Sequence, residues 1–130
     1  MKQVYDFLRK CGTYYLATMD GDQPRVRPFG TYDIFEDKLY IQTGKSKPCY
    51  QQMIANPKVE ICAFAAGEWL RLAATVVPDE RLEPQDHMLN NYPHLRDRYA
   101  PGDGNNIVFY LKDATASFCS FTAPERVVKF

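Results

Sequence analysis

Pro24 and Pro28 interrupt a run that otherwise reads as a β-strand, P-R-V-R-P-F-G-T-Y-D-I-F. Proline has no amide N–H to give to a neighbouring strand. Such a run is therefore confined to a sheet edge, to a bulge, or to a stretch whose backbone groups stay open near Pro28. The preceding T-Y-Y-L-A-T-M, from Thr13, is rich in β-forming residues, and the cluster D-G-D-Q between the two runs predicts a hairpin turn. An interrupted strand of this kind can offer backbone groups to a ligand.

The rest of the chain reads as further strands with few helices. Val4, Phe7, Leu8 and Cys11 follow one helical face, and Gly12 supplies the stop. K-L-Y-I-Q-T alternates as a strand up to Gly44. Ser46 as cap with Lys47 and Pro48 in the first turn predicts a helix ending near Asn56. K-V-E-I-C-A-F and W-L-R-L-A-A-T-V-V form a hairpin through Gly67. From Pro78 to about Gly104 the chain turns polar and Pro-punctuated, a helical insert of one or two short helices. I-V-F-Y-L-K and A-T-A-S-F-C-S-F then read as two strands joined near Asp113. The order β-β-β-α-β-β-α-β-β has no βαβ alternation, so a mainly β, antiparallel sheet or barrel with peripheral helices is expected, as one domain over 1–130.

Sixteen Lys and Arg balance sixteen Asp and Glu, leaving no global field to attract nucleic acid. The charged N-terminal segment is unlike a signal peptide, and no apolar run approaches a membrane span. Cysteines 11, 49, 62 and 119 form no C-x-x-C pair, which argues against zinc and for free thiols in a reducing cytoplasm. Each is read as a small buried hydrophobe.

Arg25 and Arg27 leave one face of their strand, and T-G-K-S-K-P joins hydroxyls, Lys45 and Lys47 to a helix start with free amides. That chemistry suits phosphate, although four solvated surface cations would give the same pattern. Walker A and G-x-G-x-x-G motifs are absent. Trp69, the single tryptophan, starts a strand where it could flank a planar ligand or belong to the core. His87 and His94 lie in the insert without a metal or catalytic motif, and no catalytic residue is assigned.

In order and spacing, F-L-R-K-C-G-T-Y-Y-L-A-T, P-R-V-R-P-F-G, L-Y-I-Q-T-G-K-S-K and M-I-A-N-P-K-V-E-I-C resemble the pyridoxamine 5'-phosphate oxidase-like family, over about residues 3 to 77. The resemblance implies an FMN-binding split β-barrel and a homodimer with flavin at the subunit interface. It implies that Arg27 meets the cofactor with Arg25 and Val26 as neighbours, and that Pro28 and Phe29 line the ring. Thr43 would lie beside the flavin, Lys45, Ser46 and Lys47 would hold the phosphate, and Trp69 and Arg71 would lie close to the ring. The activity implied is FMN-dependent oxidation or reduction of a small molecule. The alternative is non-catalytic binding of a flavin, a deazaflavin or haem on the same barrel. The C-terminal arginine and histidine pair of true pyridoxamine 5'-phosphate oxidases has no counterpart in S-F-C-S-F-T-A-P-E-R-V-V-K-F, which has no histidine. The insert is where substrate selection is expected.

Overall fold

In the helix α1 (Lys2–Cys11), Val4, Phe7 and Leu8 are buried, and Gly12 ends it at φ 78°, its N–H donating to the Leu8 carbonyl. The computed structural model describes residues 1–130. Strands β1 (Tyr14–Asp20), β2 (Gln23–Phe29), β3 (Asp33–Phe35) and β4 (Lys38–Gly44) follow, then α2 (Pro48–Ala55), β5 (Lys58–Ala65), β6 (Glu68–Asp79), α3 (Leu82–Asn91), β7 (Asn106–Ser120) and β8 (Arg126–Lys129). A 3-10 turn, Pro93–Asp97, lies between α3 and β7.

All eight strands join one antiparallel sheet in the order β2-β1-β5-β6-β7-β4-β3, with β8 also on β7. The proline-bearing strand β2 occupies an edge, as its missing donors require. The expected continuous run from Pro24 to Phe35 is divided instead. Its first half is one edge of the sheet, and its second half, β3, is the opposite edge. Gly30, Thr31 and Tyr32 carry the chain from one to the other.

Alternation along β1, β5 and β6 sends Leu16, Ile61, Ala63, Leu70 and Leu72 into the core, where they meet Phe109, Met53 and the buried face of α1. The expected hairpin through Gly67 is present, with Ala66 and Gly67 both at positive φ.

Three further boundaries differ from the sequence reading. The two strands expected to meet at Asp113 are one 15-residue strand, because Asp113 (φ 53°) sits in a bulge rather than a turn. The β6 register slips there, Ala73 facing Thr115 and Thr75 facing Lys112. The bend lets β7 pair with β4 before the bulge and with β8 after it. The insert begins after Asp79, since Pro78 still pairs with Phe109 where β5 has ended. Lys47, not Ser46, is the N-cap of α2, and no side chain caps it. Strand β8 is an element the sequence reading did not contain. Of the cysteines only Cys49 is buried, and Cys62, on the outward face of β5, is exposed.

A polar joint fixes where the insert departs. The Tyr40 hydroxyl donates to Asp79 Oδ2 at 2.8 Å, and Arg81 donates through Nε and Nη2 to the same carboxylate and through Nη1 to Glu36. Burial opposes ionisation of Asp79, yet the hydrogen bonds from Arg81 and Tyr40 outweigh it and hold the group below its ordinary carboxylate value. Its stabilising contribution is therefore present above about pH 4 and is lost as pH falls through the folded-state value. Asp79→Asn is expected to cost about 1–3 kcal/mol at pH 7 by urea denaturation, with the gap to wild type closing towards pH ~2.

Candidate functional site

The seam between β2 and β4 is bridged by a side chain instead of a strand. Thr31 Oγ1 donates to the Gln42 carbonyl at 3.2 Å and accepts from the Gln42 amide at 3.1 Å, so the hydroxyl satisfies both groups. The Tyr14 hydroxyl fixes the connector by donating to the Thr31 carbonyl at 2.6 Å. A cavity of about 380 Å³ lies in this seam. Arg27 to Thr31 form one wall, Gln42 and Thr43 of β4 another, Lys47 and Cys49 of α2 a third. Tyr92, His94, Leu95, Arg98 and Tyr99 of the insert line the remaining side. A second cavity of about 500 Å³ shares Arg27, Lys47 and Cys49 with the first and adds Arg25 and Val26, so one cleft runs from the seam to the start of α2.

Neither Asp nor Glu lines the seam cavity, whereas Arg27, Lys47 and Arg98 do, none of them in an ion pair. Arg27 is held entirely by neutral oxygens: Nη1 donates to the Leu16 carbonyl (3.1 Å) and Thr18 Oγ1 (2.7 Å), and Nη2 to Gln52 Oε1 (2.7 Å). The buried Thr18 hydroxyl in turn donates to Gln52 Oε1 at 2.6 Å. The guanidinium is thus fixed with its charge uncompensated and two of its five N–H donors still unengaged.

The T-G-K-S-K segment is less free than its sequence suggests. Lys45 Nζ reaches Glu80 at 2.9 Å, and this hydrogen bond raises its pKa. Lys45 and Ser46 give their amides to the Asn105 carbonyl and Oδ1, and the Lys47 amide is given to Gly44. The expected row of free amides is therefore consumed, and the Lys47 side chain and the Cys49 amide are what the segment still presents. Thr43 is buried against Cys49, with Oγ1 and Sγ 3.5 Å apart. Pro28 and Phe29 line the cavity, while Arg25 turns to Asp20 at 3.2 Å.

Trp69 and Arg71 are not brought to the cleft. Across the sheet Arg71 faces Cys62, Cys62 faces Tyr15, and Tyr15 faces Pro28, which puts Arg71 three strand spacings, about 14 Å, from Pro28. Trp69 packs on Phe121, with ring centroids 5.1 Å apart.

The residues that sequence reasoning missed come from the insert. His87 Nδ1 and Asn91 Nδ2 each lie 2.6 Å from the buried Asp33 carboxylate on β3, clamping α3 to the sheet edge. Tyr92 then accepts from the Tyr32 amide and donates to the Tyr32 carbonyl, both at 3.0 Å. Burial pushes the Tyr92 phenol above its ordinary value, so it stays a donor. Beyond this clamp the 3-10 turn swings His94 and Leu95, and then Arg98 and Tyr99, over the seam. Tyr99 settles against Gly44, where an added Cβ would stand 3.0 Å from the phenol oxygen. In the sequence His87 and His94 stand without a motif, and nothing there singles out Tyr92, Leu95, Arg98 or Tyr99.

A mainly antiparallel sheet with three helices and an open, ligand-sized seam defines the molecule as a split β-barrel. A family model described as pyridoxamine 5'-phosphate oxidase matches residues 1–94, and the chain belongs to the pyridoxamine 5'-phosphate oxidase-like family. It is similar to the structure of a NimC/NimA family protein from Clostridium acetobutylicum, with 41% identity and a TM-score of 0.96, over 100% of this chain and 92% of that one. It shares its fold with General Stress Protein 26 from Bacillus anthracis (15% identity, TM-score 0.78, 99% and 97% covered). The same holds for a pyridoxamine 5'-phosphate oxidase-related, FMN binding protein from Nostoc punctiforme (14%, 0.65, 99% and 95%). No curated protein matches the chain.

Tyr92→Phe removes both hydrogen bonds to Tyr32 and leaves two backbone groups without partners. The expected loss is about 1–3 kcal/mol in urea denaturation, with faster tryptic cleavage at Arg96 and Arg98 as the insert loosens.

Proposed function

We propose that the cleft binds FMN and that the protein is an FMN-dependent oxidoreductase acting on a small molecule. The observation that carries this reading is the seam cavity itself, which has the unpaired cations Arg27 and Lys47 where it meets the second cavity, no carboxylate and one wall of backbone at Pro28–Thr31. Arg27 and Lys47, at the junction of the two cavities, would hold the phosphate, and Pro28 to Thr31 with Thr43 would line the ring. The Nostoc relative is described as FMN binding, which agrees with this reading. When bound, FMN supplies the electron transfer. The chain's own residues fix the cofactor, offer donors where negative charge gathers, and limit the access of water through the insert. No separate acid or base is required of them.

The reading includes a homodimer. Tyr15, Val26 and Phe64 are exposed on neighbouring strands of one sheet, an apolar surface of the kind that a second copy covers. Trp69 and Arg71, which cannot reach their own chain's cleft, would meet the flavin only across such an interface. No helix is long and apolar enough to cross a membrane, and four free cysteines suit the cytoplasm.

The absorbance spectrum of the protein after addition of FMN and removal of the unbound fraction tests the class. Retained flavin bands support it; a haem Soret band in the purified protein, or no retained chromophore, overturns it. Within the class, Lys47→Ala is expected to weaken FMN binding about tenfold or more, the loss of one charge-assisted phosphate contact. Lys45→Ala, whose ammonium is committed to Glu80, should stay within about twofold. An unchanged dissociation constant for Lys47→Ala would remove that residue from the phosphate site.

A further inference from the structure

The cations around the cleft divide into two sets by where they stand. Arg27 and Lys47 line both cavities and sit at the start of α2. Arg98 lines the seam cavity alone, on the insert side, with His94 four residues before it on the same wall. Charge pairing separates Arg98 from its neighbours as well. Arg96, two residues earlier, is tied to Asp86 at 3.0 Å and to Asn90 at 2.7 Å. Arg81, Arg25 and Lys45 each have a carboxylate within 3.2 Å. The Arg98 guanidinium has neither an ion pair nor a hydrogen bond, although the same insert carries Asp86, Asp97 and Asp103.

We propose that Arg98 is a specificity-determining residue that, with His94 beside it, selects a small planar molecule bearing one carboxylate. The inference rests on the FMN reading, because it assigns Arg27 and Lys47 to the cofactor phosphate and leaves Arg98 as surplus charge. A guanidinium presents a planar fork that matches a carboxylate through two parallel N–H···O bonds. One uncompensated positive charge balances a monoanion, whereas a phosphate ester dianion would need a second cation that this side of the cavity lacks. The lining supplies the rest of the recognition: Tyr92, Leu95 and Tyr99 provide apolar and aromatic surface for the body of the molecule, and the His94 ring stands 6.3 Å from that of Tyr92.

The test compares benzoate, neutral benzamide and phenyl phosphate as probes of the FMN-loaded protein, by perturbation of the flavin spectrum and by calorimetry. Benzoate is expected to bind about tenfold or more tightly than benzamide, and more tightly than phenyl phosphate. In Arg98→Gln the advantage over benzamide should disappear while FMN affinity stays within about twofold, and Arg98→Lys should restore part of it. Equal binding of benzoate and benzamide, a preference that survives Arg98→Gln, or no measurable binding of any probe overturns the proposal. Tightest binding of phenyl phosphate overturns the carboxylate assignment. A large loss of FMN affinity in Arg98→Gln returns the residue to the cofactor site and overturns the proposal too. Should the protein retain no flavin, the FMN reading fails by itself. The same calorimetric comparison on the flavin-free protein then reads the anion preference of Arg98 separately.

Discussion

The architecture depends on a strand that cannot be extended. Pro24 and Pro28 deprive β2 of two donors, so no further strand can complete a regular ladder on its outer side. The sheet therefore ends at β2, and the chain must travel through Gly30, Thr31 and Tyr32 to reach the opposite edge, where β3 pairs with β4. The gap left between the edges is closed locally by one hydroxyl, Thr31 on Gln42. Wherever a side chain replaces a ladder, backbone groups and space remain nearby, and this is where the cleft lies.

The insert completes what the seam leaves open. Its first half is structural: Asp79 with Tyr40 and Arg81 sets its departure, and Asp33 with His87 and Asn91 fixes α3 on β3. Its second half is tied back through Arg96 to Asp86 and Asn90 and through the Gly102 amide to Gln85, and it carries the exposed groups that face the cavity. The clamp on Asp33 and Tyr32 followed by this turn positions His94 and Arg98 at the cavity while leaving both residues exposed. The arrangement follows the general division between scaffold and variable loop, here within a single connection between β6 and β7.

Much of this was legible in the residues and some was not. The apolar period of α1, the alternation of β4, β5 and β6 and the proline signal on β2 are local features, and the structure carries each of them. Asp113 between two β-patterned runs predicts a turn, and a bulge leaves the same local pattern in the sequence. Only the partner strands, β4 before it and β8 after it, distinguish a bend from a reversal. Charge and spacing single out Arg25, Arg27, Lys45 and Lys47 alike, but the commitment of Lys45 to Glu80 and of two amides to Asn105 depends on residues 35 and about 60 positions away. His94 and Arg98 had no motif at all. Their place follows from the clamp on Asp33 and Tyr32, which is a tertiary fact.

Uncompensated cations converging on one cavity carry an electrostatic cost in the free protein, and the way Arg27 is held limits it. A carboxylate partner would fix the guanidinium equally well but would cancel the charge that an anionic ligand needs. The Leu16 carbonyl, the Thr18 hydroxyl and the Gln52 amide oxygen instead supply acceptors without formal charge, so orientation is secured and the field is kept. Gln52 comes from α2, the same helix whose start carries Lys47 and Cys49, and the position of that helix is set by packing of Met53 in the core. The charge that faces the cleft is thereby tied to the hydrophobic interior from two sides, by Leu16 and Thr18 of β1 and by Gln52 of α2. A change that shifted α2 by even a fraction of a hydrogen-bond length would alter the aim of Arg27 and Lys47 together, which makes the helix, rather than either cation alone, the unit on which anion binding depends.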